Sequence, residues 1–281
     1  MPELPEVETV RAGLEKHVVG KKVNDVKQLH PRALRNDSLS KLNIFKNAKI
    51  KAVKRRGKFM WLEFNRPEVL VAHLGMSGQF KIQKAGSEYE THLRANFELS
   101  GGKEMRFIDQ RTFGWLCVDQ LIDGVPRVVT HIAPDLFDLK FDKKKVVSEI
   151  AKKRGQIKKV ILDQGVVSGI GNIYADEALW LAKVHPQTLA FQLSDAQLRS
   201  ILASVVKVME RAIAKGGTSF DDLYIDVNGE SGYFEISLNA YGKEGDPCRR
   251  CRTPIRRIAF ANRSSHFCPK CQLKSRRKGG Q

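Results

Sequence analysis

Four cysteines near the C-terminus constrain this 281-residue chain more than any other feature. They form Cys248-x2-Cys251 and Cys268-x2-Cys271, with 16 residues between the pairs. Each pair suits a tight knuckle that aims two thiolates at one tetrahedral ion, and the spacer suits a β-hairpin between knuckles. The reading is a structural zinc ribbon that holds one Zn2+ through four cysteines. A closed four-ligand site leaves no position for water, so the metal folds the ribbon rather than catalysing. Disulfides fit poorly with two matched pairs and no sign of export. The fifth cysteine, Cys117 in the apolar stretch Trp115-Leu116-Cys117-Val118, reads as a buried structural thiol.

Charge is concentrated in the same region. The whole chain carries +18, and the 34 residues from Cys248 to Gln281 supply +11 of it, without one Asp or Glu. So one-sided a patch repels itself unless a polyanion compensates it, and nucleic acid is the commonest such partner. No apolar run approaches the ~20 residues of a membrane span. The N-terminus, MPELPEVETV, has neither a basic stretch nor an apolar stretch of the kind a signal peptide needs. Secreted and integral-membrane classes are therefore not expected.

The hydrophobic period changes along the chain. Val7, Val10, Leu14 and Val18 fall on one helical face that Gly20 closes. Residues 22–120 then read as short strands, clearest at Phe59–Phe64 and Val69–Leu74, which predicts a β-sandwich or barrel capped by the first helix. Helical spacing takes over at Val146–Lys153, Ile157–Asp163, Asn172–Ala182 and Ser194–Lys215. Between lies Asp123–Leu139, hinge-like, with Pro126 and Pro134. The turn Gly165–Asn172 contains Gly-x-Gly, but Tyr174 stands where a dinucleotide fingerprint needs glycine, and no strand precedes it. It is either a phosphate cradle at a helix start or a plain helix–helix turn.

Taken together, PELPEVET at the N-terminus, RRGK at 55–58, HLGMSG at 73–78, DQRTFG at 109–114, SGIGNIYADE at 168–177 and NRSSHFCPKC at 262–271 resemble the formamidopyrimidine-DNA glycosylase family. These are bacterial base-excision repair enzymes for oxidised purines. The likeness runs in order through about Gln272. It implies an α+β multidomain fold: an N-terminal helix with a β-sandwich (1–122), a hinge (123–140), a helical domain with a helix–two-turn–helix (141–236), a zinc ribbon (237–272) and a basic tail (273–281).

The resemblance also implies roles. Pro2, exposed as the N-terminal amine once Met1 is removed, is the nucleophile. A free α-amine titrates near ~8, and attack by a secondary amine on the anomeric carbon gives an iminium directly. Glu3 is the acid that protonates the opening deoxyribose ring, and Glu6 a supporting carboxylate. By composition alone, Pro2 would punctuate a helix start and both glutamates would be charges favoured by the helix dipole. Lys58 donates a proton during β-elimination. Arg263 serves δ-elimination, physically as a clamp on the leaving phosphate, because an arginine is rarely deprotonated.

A base inside duplex DNA must be flipped out, at a cost of a few kcal/mol. By resemblance Phe113 wedges into the stack, Arg111 hydrogen-bonds the orphaned cytosine and Met76 packs the void. Composition alone would put Met76 and Phe113 in the core. His92, Arg111, Arg154 and Asn172 match the family's DNA contacts, and Gly216–Gly232 is a candidate lid over the flipped base. The expectation is therefore a glycosylase/AP lyase acting on 8-oxoguanine and formamidopyrimidines, a monomer on double-stranded DNA, bacterial, cytoplasmic and nucleoid-associated. Its rivals are a sister glycosylase for oxidised pyrimidines and a non-catalytic zinc-ribbon DNA binder.

Overall fold

The computed structural model describes residues 2–35, 42–217 and 238–274. They fall into two compact units, 2–131 with 212–217, and 132–211 with 238–274. The loop expected as a lid lies outside the described residues beyond Gly217, as does the tail beyond Lys274.

The first unit opens with helix α1 (Leu4–Val18), three residues ahead of its first patterned valine. Its start is fixed by a capping box: the Glu3 side chain accepts from the backbone at Glu6, and Glu6 Oε2 accepts from the Glu3 N–H at 2.9 Å. Such reciprocal caps satisfy two otherwise orphaned donors. Nine strands follow: β1 (Val23–Gln28), β2 (Ile50–Arg56), β3 (Phe59–Phe64), β4 (Arg66–His73), β5 (Gly78–Lys84), β6 (Leu93–Leu99), β7 (Lys103–Asp109), β8 (Trp115–Ile122) and β9 (Val125–Pro126). They build two antiparallel sheets, ordered β1-β6-β7-β5 and β2-β3-β4-β8-β9. The expected choice between sandwich and barrel resolves as a two-sheet sandwich. Its core joins Val7, Val10, Leu14 and Val18 of α1 to Met60, Leu62 and Leu70 of one sheet and Phe80, Phe97 and Phe107 of the other.

The chain crosses between sheets twice in ways that matter below, from β4 to β5 through 74–77 and from β7 to β8 through 110–114. Register places both crossings at one end. His73 pairs with Phe59 and with Trp115, so the β2–β3 turn, the end of β4 and the start of β8 coincide.

In the second unit α2 (Lys143–Ala151) begins at Asp142, whose side chain caps Lys145 N–H, so this helix starts three residues earlier than its apolar pattern suggested. Helices α3 (Ile157–Ile161), α4 (Asn172–Leu181) and α5 (Asp195–Ile213) match the expected segments within two residues at each end, the last crossing the boundary between units. The hairpin β10 (Arg256–Phe260) with β11 (Arg263–Phe267) lies between the cysteine pairs. The hinge-like stretch is structured in part, with β9 and a 3-10 turn at Arg127–Val129, and it buries Val125, Val129 and Ile132. Among the described residues no helix is long and apolar enough to cross a membrane.

Candidate active site

One end of the sandwich gathers most of the residues singled out in the first unit. Pro2, Glu3 and Glu6 are buried at the start of α1, and Lys58 is buried in the β2–β3 turn. Helix α1 points its N-terminus toward that turn. Arg11 donates to the Val53 carbonyl, while three residues earlier Glu8 accepts from Arg55 at 2.9 Å. Arg55 also donates to the Gly57 carbonyl, directly before Lys58. One guanidinium thus ties the helix that carries Pro2 to the peptide that carries Lys58. Arg55 and Arg11 hold the Glu8 carboxyl below its ordinary range against the opposing effect of burial. On the other side of Glu6, Gly217 comes so close that an added Cβ would lie 3.2 Å from Glu6 Cγ. Its φ of +86° independently favours glycine.

Met76, Arg111 and Phe113 project from the two sheet crossings. Contrary to a composition-based reading, Met76 and Phe113 are not core: they are 36% and 53% exposed. The Arg111 guanidinium lies over the Phe113 ring at 5.2 Å, a cation–π arrangement. His92 stands just ahead of β6, its carbonyl accepting from Asp109 N–H.

His73 opens the HLGMSG motif, and the sequence assigns it no role. It pairs with Phe59, the residue after Lys58, and packs between the Phe59 and Trp115 rings. Burial first, then the charges of Arg35 and Lys58, push its pKa down to about 4. Its Nδ1 accepts from Gly75 N–H, which leaves the ring proton on Nε2. A neutral imidazole with a fixed donor beside a lysine is suited to a phosphate oxygen.

The second unit carries the remaining residues. Arg154 is exposed between α2 and α3. The turn from α3 to α4 is riveted by Gln164, which donates to the Leu162 and Ile170 carbonyls and accepts from Gly169 N–H. Helix α4 then starts at Asn172, with Gly171 as its N-cap. Asn172 Nδ2 donates to the Ser264 carbonyl, and its buried Oδ1 has no hydrogen-bond partner. Arg263 is exposed at the hairpin tip, where Ala261 and Asn262 both take the left-handed conformation that a two-residue hairpin turn requires.

Three charged groups to which the sequence gave no role hold this hairpin and the strap at 239–241. Lys158, 0% exposed, donates to Asp176 at 2.7 Å and to the Ser264 carbonyl at 3.1 Å. Asp176 also accepts from Ser265 Oγ and His266 N–H. Glu177 accepts from the backbone N–H groups of Asn239, Ala240 and Tyr241. The acidic pair closing SGIGNIYADE is thus a set of structural staples.

The four cysteine sulfurs lie within 4.8 Å of one another, with Cys251 3.4 Å from both Cys268 and Cys271. Tetrahedral zinc with Zn–S bonds of about 2.3 Å separates its sulfurs by roughly 3.8 Å. Cys248, Cys251, Cys268 and Cys271 therefore fit one Zn2+. Trp180 of α4 packs against Cys248 and Cys268, with the Arg250 guanidinium over its ring at 3.9 Å.

Known proteins place this arrangement. Residues 1–116 match the formamidopyrimidine-DNA glycosylase N-terminal domain, 132–222 the helix–two-turn–helix domain of the same enzymes, and 245–273 the zinc finger found in those enzymes and in IleRS. The formamidopyrimidine-DNA glycosylase of Corynebacterium glutamicum (strain R) is 50% identical, covering 97% of this chain and 99% of its own. That of Thermobifida fusca (strain YX) is 48% identical over 98% and 99%. Among solved structures, Lactococcus lactis Fpg in complex with abasic-site DNA aligns with a TM-score of 0.86 at 33% identity, covering 97% of this chain and 100% of that one. The same enzyme bound to Fapy-dG-containing DNA aligns equally well, at 0.86. The chain belongs to the formamidopyrimidine-DNA glycosylase family.

Proposed function

We propose that this protein excises 8-oxoguanine and formamidopyrimidines from duplex DNA through a Schiff base on Pro2 and then opens the strand by β,δ-elimination. The glycosylase and AP lyase activities follow from its family. The observation that carries the assignment of roles is the burial of Pro2, Glu3, Glu6 and Lys58 at one end of the sandwich, with Glu6 capping the helix start and Arg55 tying it to Lys58.

The Pro2 nitrogen lone pair attacks C1′, and the C1′–N bond breaks with its electrons leaving on the base, which takes up a proton in place of the one the Pro2 nitrogen gives up. Glu3 protonates O4′ as the ring opens to the iminium. Removal of a C2′ proton sends the C2′–H electrons into the iminium to give an enamine, and the enamine expels the 3′ phosphate, which leaves with the C3′–O bonding pair; Lys58 serves the proton transfer. Loss of a C4′ proton, made acidic by the conjugated iminium, drives a second elimination in which the 5′ phosphate leaves with the C5′–O bonding pair, and Arg263 clamps that phosphate. Lys58, His73, His92, Arg154 and Asn172 hold the backbone, while Phe113, Arg111 and Met76 fill the void left by the flipped base. Zinc on its four cysteines supplies folding energy to the ribbon. We take the protein to act as a monomer on chromosomal DNA in the cytoplasm. Because Lactococcus lactis Fpg has also been captured with DNA containing an oxidised pyrimidine, such lesions belong in the substrate panel.

Borohydride trapping on DNA containing 8-oxoguanine opposite cytosine, followed by mass spectrometry, tests the assignment. The adduct is expected on Pro2, and Pro2→Gly or retention of Met1 should remove most or all of it. Normal adduct yield with Met1 retained would refute the nucleophile.

A further inference from the structure

We infer that Asp109 is a positioning residue for lesion recognition: its buried carboxylate locks the loop carrying Arg111 and Phe113 against the loop carrying Met76. The inference rests on the assignment of those three side chains to the void, and goes further by naming what holds them.

Asp109 is the last residue of β7 and is 1% exposed. Its Oδ1 accepts from Ser77 Oγ at 2.5 Å and from Arg111 N–H at 3.2 Å, and its Oδ2 accepts from Gly114 N–H at 2.7 Å. Ser77 Oγ in turn accepts from Arg111 N–H at 3.0 Å. The Asp109 backbone is used as fully: its N–H donates to the His92 carbonyl and its C=O accepts from Arg94 Nε. One residue therefore joins the segments that carry His92, Met76, Arg111 and Phe113. The carboxylate grips the 110–114 loop at both ends, beside Arg111 and after Phe113.

Two further observations show that the loop geometry is held from outside. Thr112, between the two void-filling residues, has φ +54°. A β-branched residue takes this left-handed conformation only where its surroundings impose it. The two loops also touch through their backbones. A Cβ on Gly75, which has φ +62°, would lie 2.3 Å from the Phe113 carbonyl carbon. A Cβ on Gly114 would lie 3.0 Å from the Leu74 oxygen and 3.1 Å from Asp109 Oδ2. Side chains that must enter a base stack gain from being set beforehand, because ordering them on binding would subtract from affinity.

Asp109→Asn tests this. It keeps the shape but replaces one acceptor with a donor, so the N–H of either Gly114 or Arg111 faces another donor. In single-turnover excision of 8-oxoguanine opposite cytosine, the half-saturating DNA concentration should rise about tenfold while the maximal rate falls less. The preference for cytosine over adenine opposite the lesion should drop toward that of Arg111→Ala. Cleavage of an abasic site in single-stranded DNA, where there is no opposite base and no stack to fill, should lose less. In an Arg111→Ala/Phe113→Ala background, Asp109→Asn should cost little more. Equal losses on duplex and single strand, unchanged opposite-base preference and additive effects would together overturn the inference. Should Asp109→Asn fail to fold, Ser77→Ala removes one donor to the same carboxylate, and a smaller change in the same readouts is expected; no change would overturn the inference. A wild-type protein that forms no borohydride adduct would instead defeat the Pro2 reading, which separates the two failures.

Discussion

In the sandwich, Lys58, Met76, Arg111 and Phe113 ride on turns between strands whose register is set from beneath by Val7, Leu14, Met60, Leu62, Phe97 and their neighbours. In the helix–ribbon unit, Arg263 rides on a hairpin whose cysteine knuckles share a small cluster of Trp180, Ala240, Cys248, Ile255 and Cys268. That cluster is too slight to hold a fold, because small domains bury too little of the surface their unfolded chains expose. Metal and buried ions take over: four thiolates at one end, and Lys158, Asp176 and Glu177 along the hairpin and the strap at 239–241. Apolar packing tolerates many sequences of similar volume. A metal or a buried ion pair fails when a single partner is lost. The sandwich and the ribbon should therefore break in different ways.

The largest effect is expected from the metal. Structural zinc contributes about 10–16 kcal/mol in isolated fingers. Cys268→Ser, or chelation, should remove amide-exchange protection from 245–272 and abolish lesion binding, while β3 and β4 stay protected. Unchanged zinc stoichiometry and DNA affinity in Cys268→Ser would refute the ribbon. Asp176→Asn comes next. It leaves Lys158 buried without its anion, which costs about 3–5 kcal/mol, whereas Asp176→Leu with Lys158→Met should recover much of that stability. If Asp176→Asn shifts the denaturant midpoint of the sandwich as much as that of the ribbon, the two units are not separately held. Leu14→Ala is the reciprocal change, expected to cost about 2–5 kcal/mol in the sandwich and to leave zinc binding intact.

What could be read in advance follows the same division. The short run of large apolar residues at Phe59–Phe64, buried through Met60, Trp61 and Leu62 in succession, and the helical face of α1 reported the sandwich. Cysteine spacing reported the ribbon, because a tetrahedral ion fixes its ligands. The roles of Pro2, Glu3 and Lys58 came from likeness of motif, not from any pattern in the residues. Asp109, Asp176 and Glu177 stand inside motifs of the family likeness but carry no role there, and Lys158 gives no signal at all. A carboxylate that accepts three backbone N–H groups and one on the surface are the same letter, and only the fold separates them. Met76 and Phe113 mislead for the converse reason: exposed apolar side chains read as core from composition until their exposure is known.

His73 gives the sandwich a pH signature. Its pKa of about 4 lies below the ordinary value of 6.5, so between those limits the unfolded chain binds a proton that the native state refuses. This contribution is constant above pH 6.5 and is lost progressively as the pH falls toward 4. Thermal melts of wild type and His73→Phe at pH 7 and pH 5 should show the smaller acid loss in the variant. An identical pH dependence would mean that the imidazole is not held neutral.

The smallest effect separates holding the backbone from reading the lesion, with one residue from each unit. Arg154 is exposed on the loop between α2 and α3, and a phosphate contact there neutralises charge without sensing sequence. Arg154→Ala should weaken binding to damaged and undamaged duplex alike and reduce the slope of log affinity against log salt by about one. Arg111→Ala should behave differently. It removes the proposed partner of the orphaned cytosine, so opposite-base discrimination should fall while binding to undamaged duplex changes little. Titrations at three salt concentrations, with 8-oxoguanine paired to each base in turn, distinguish them. If both variants give the same salt slope and the same opposite-base preference, then Arg154 and Arg111 do the same work, and the division between clamping and void-filling residues fails.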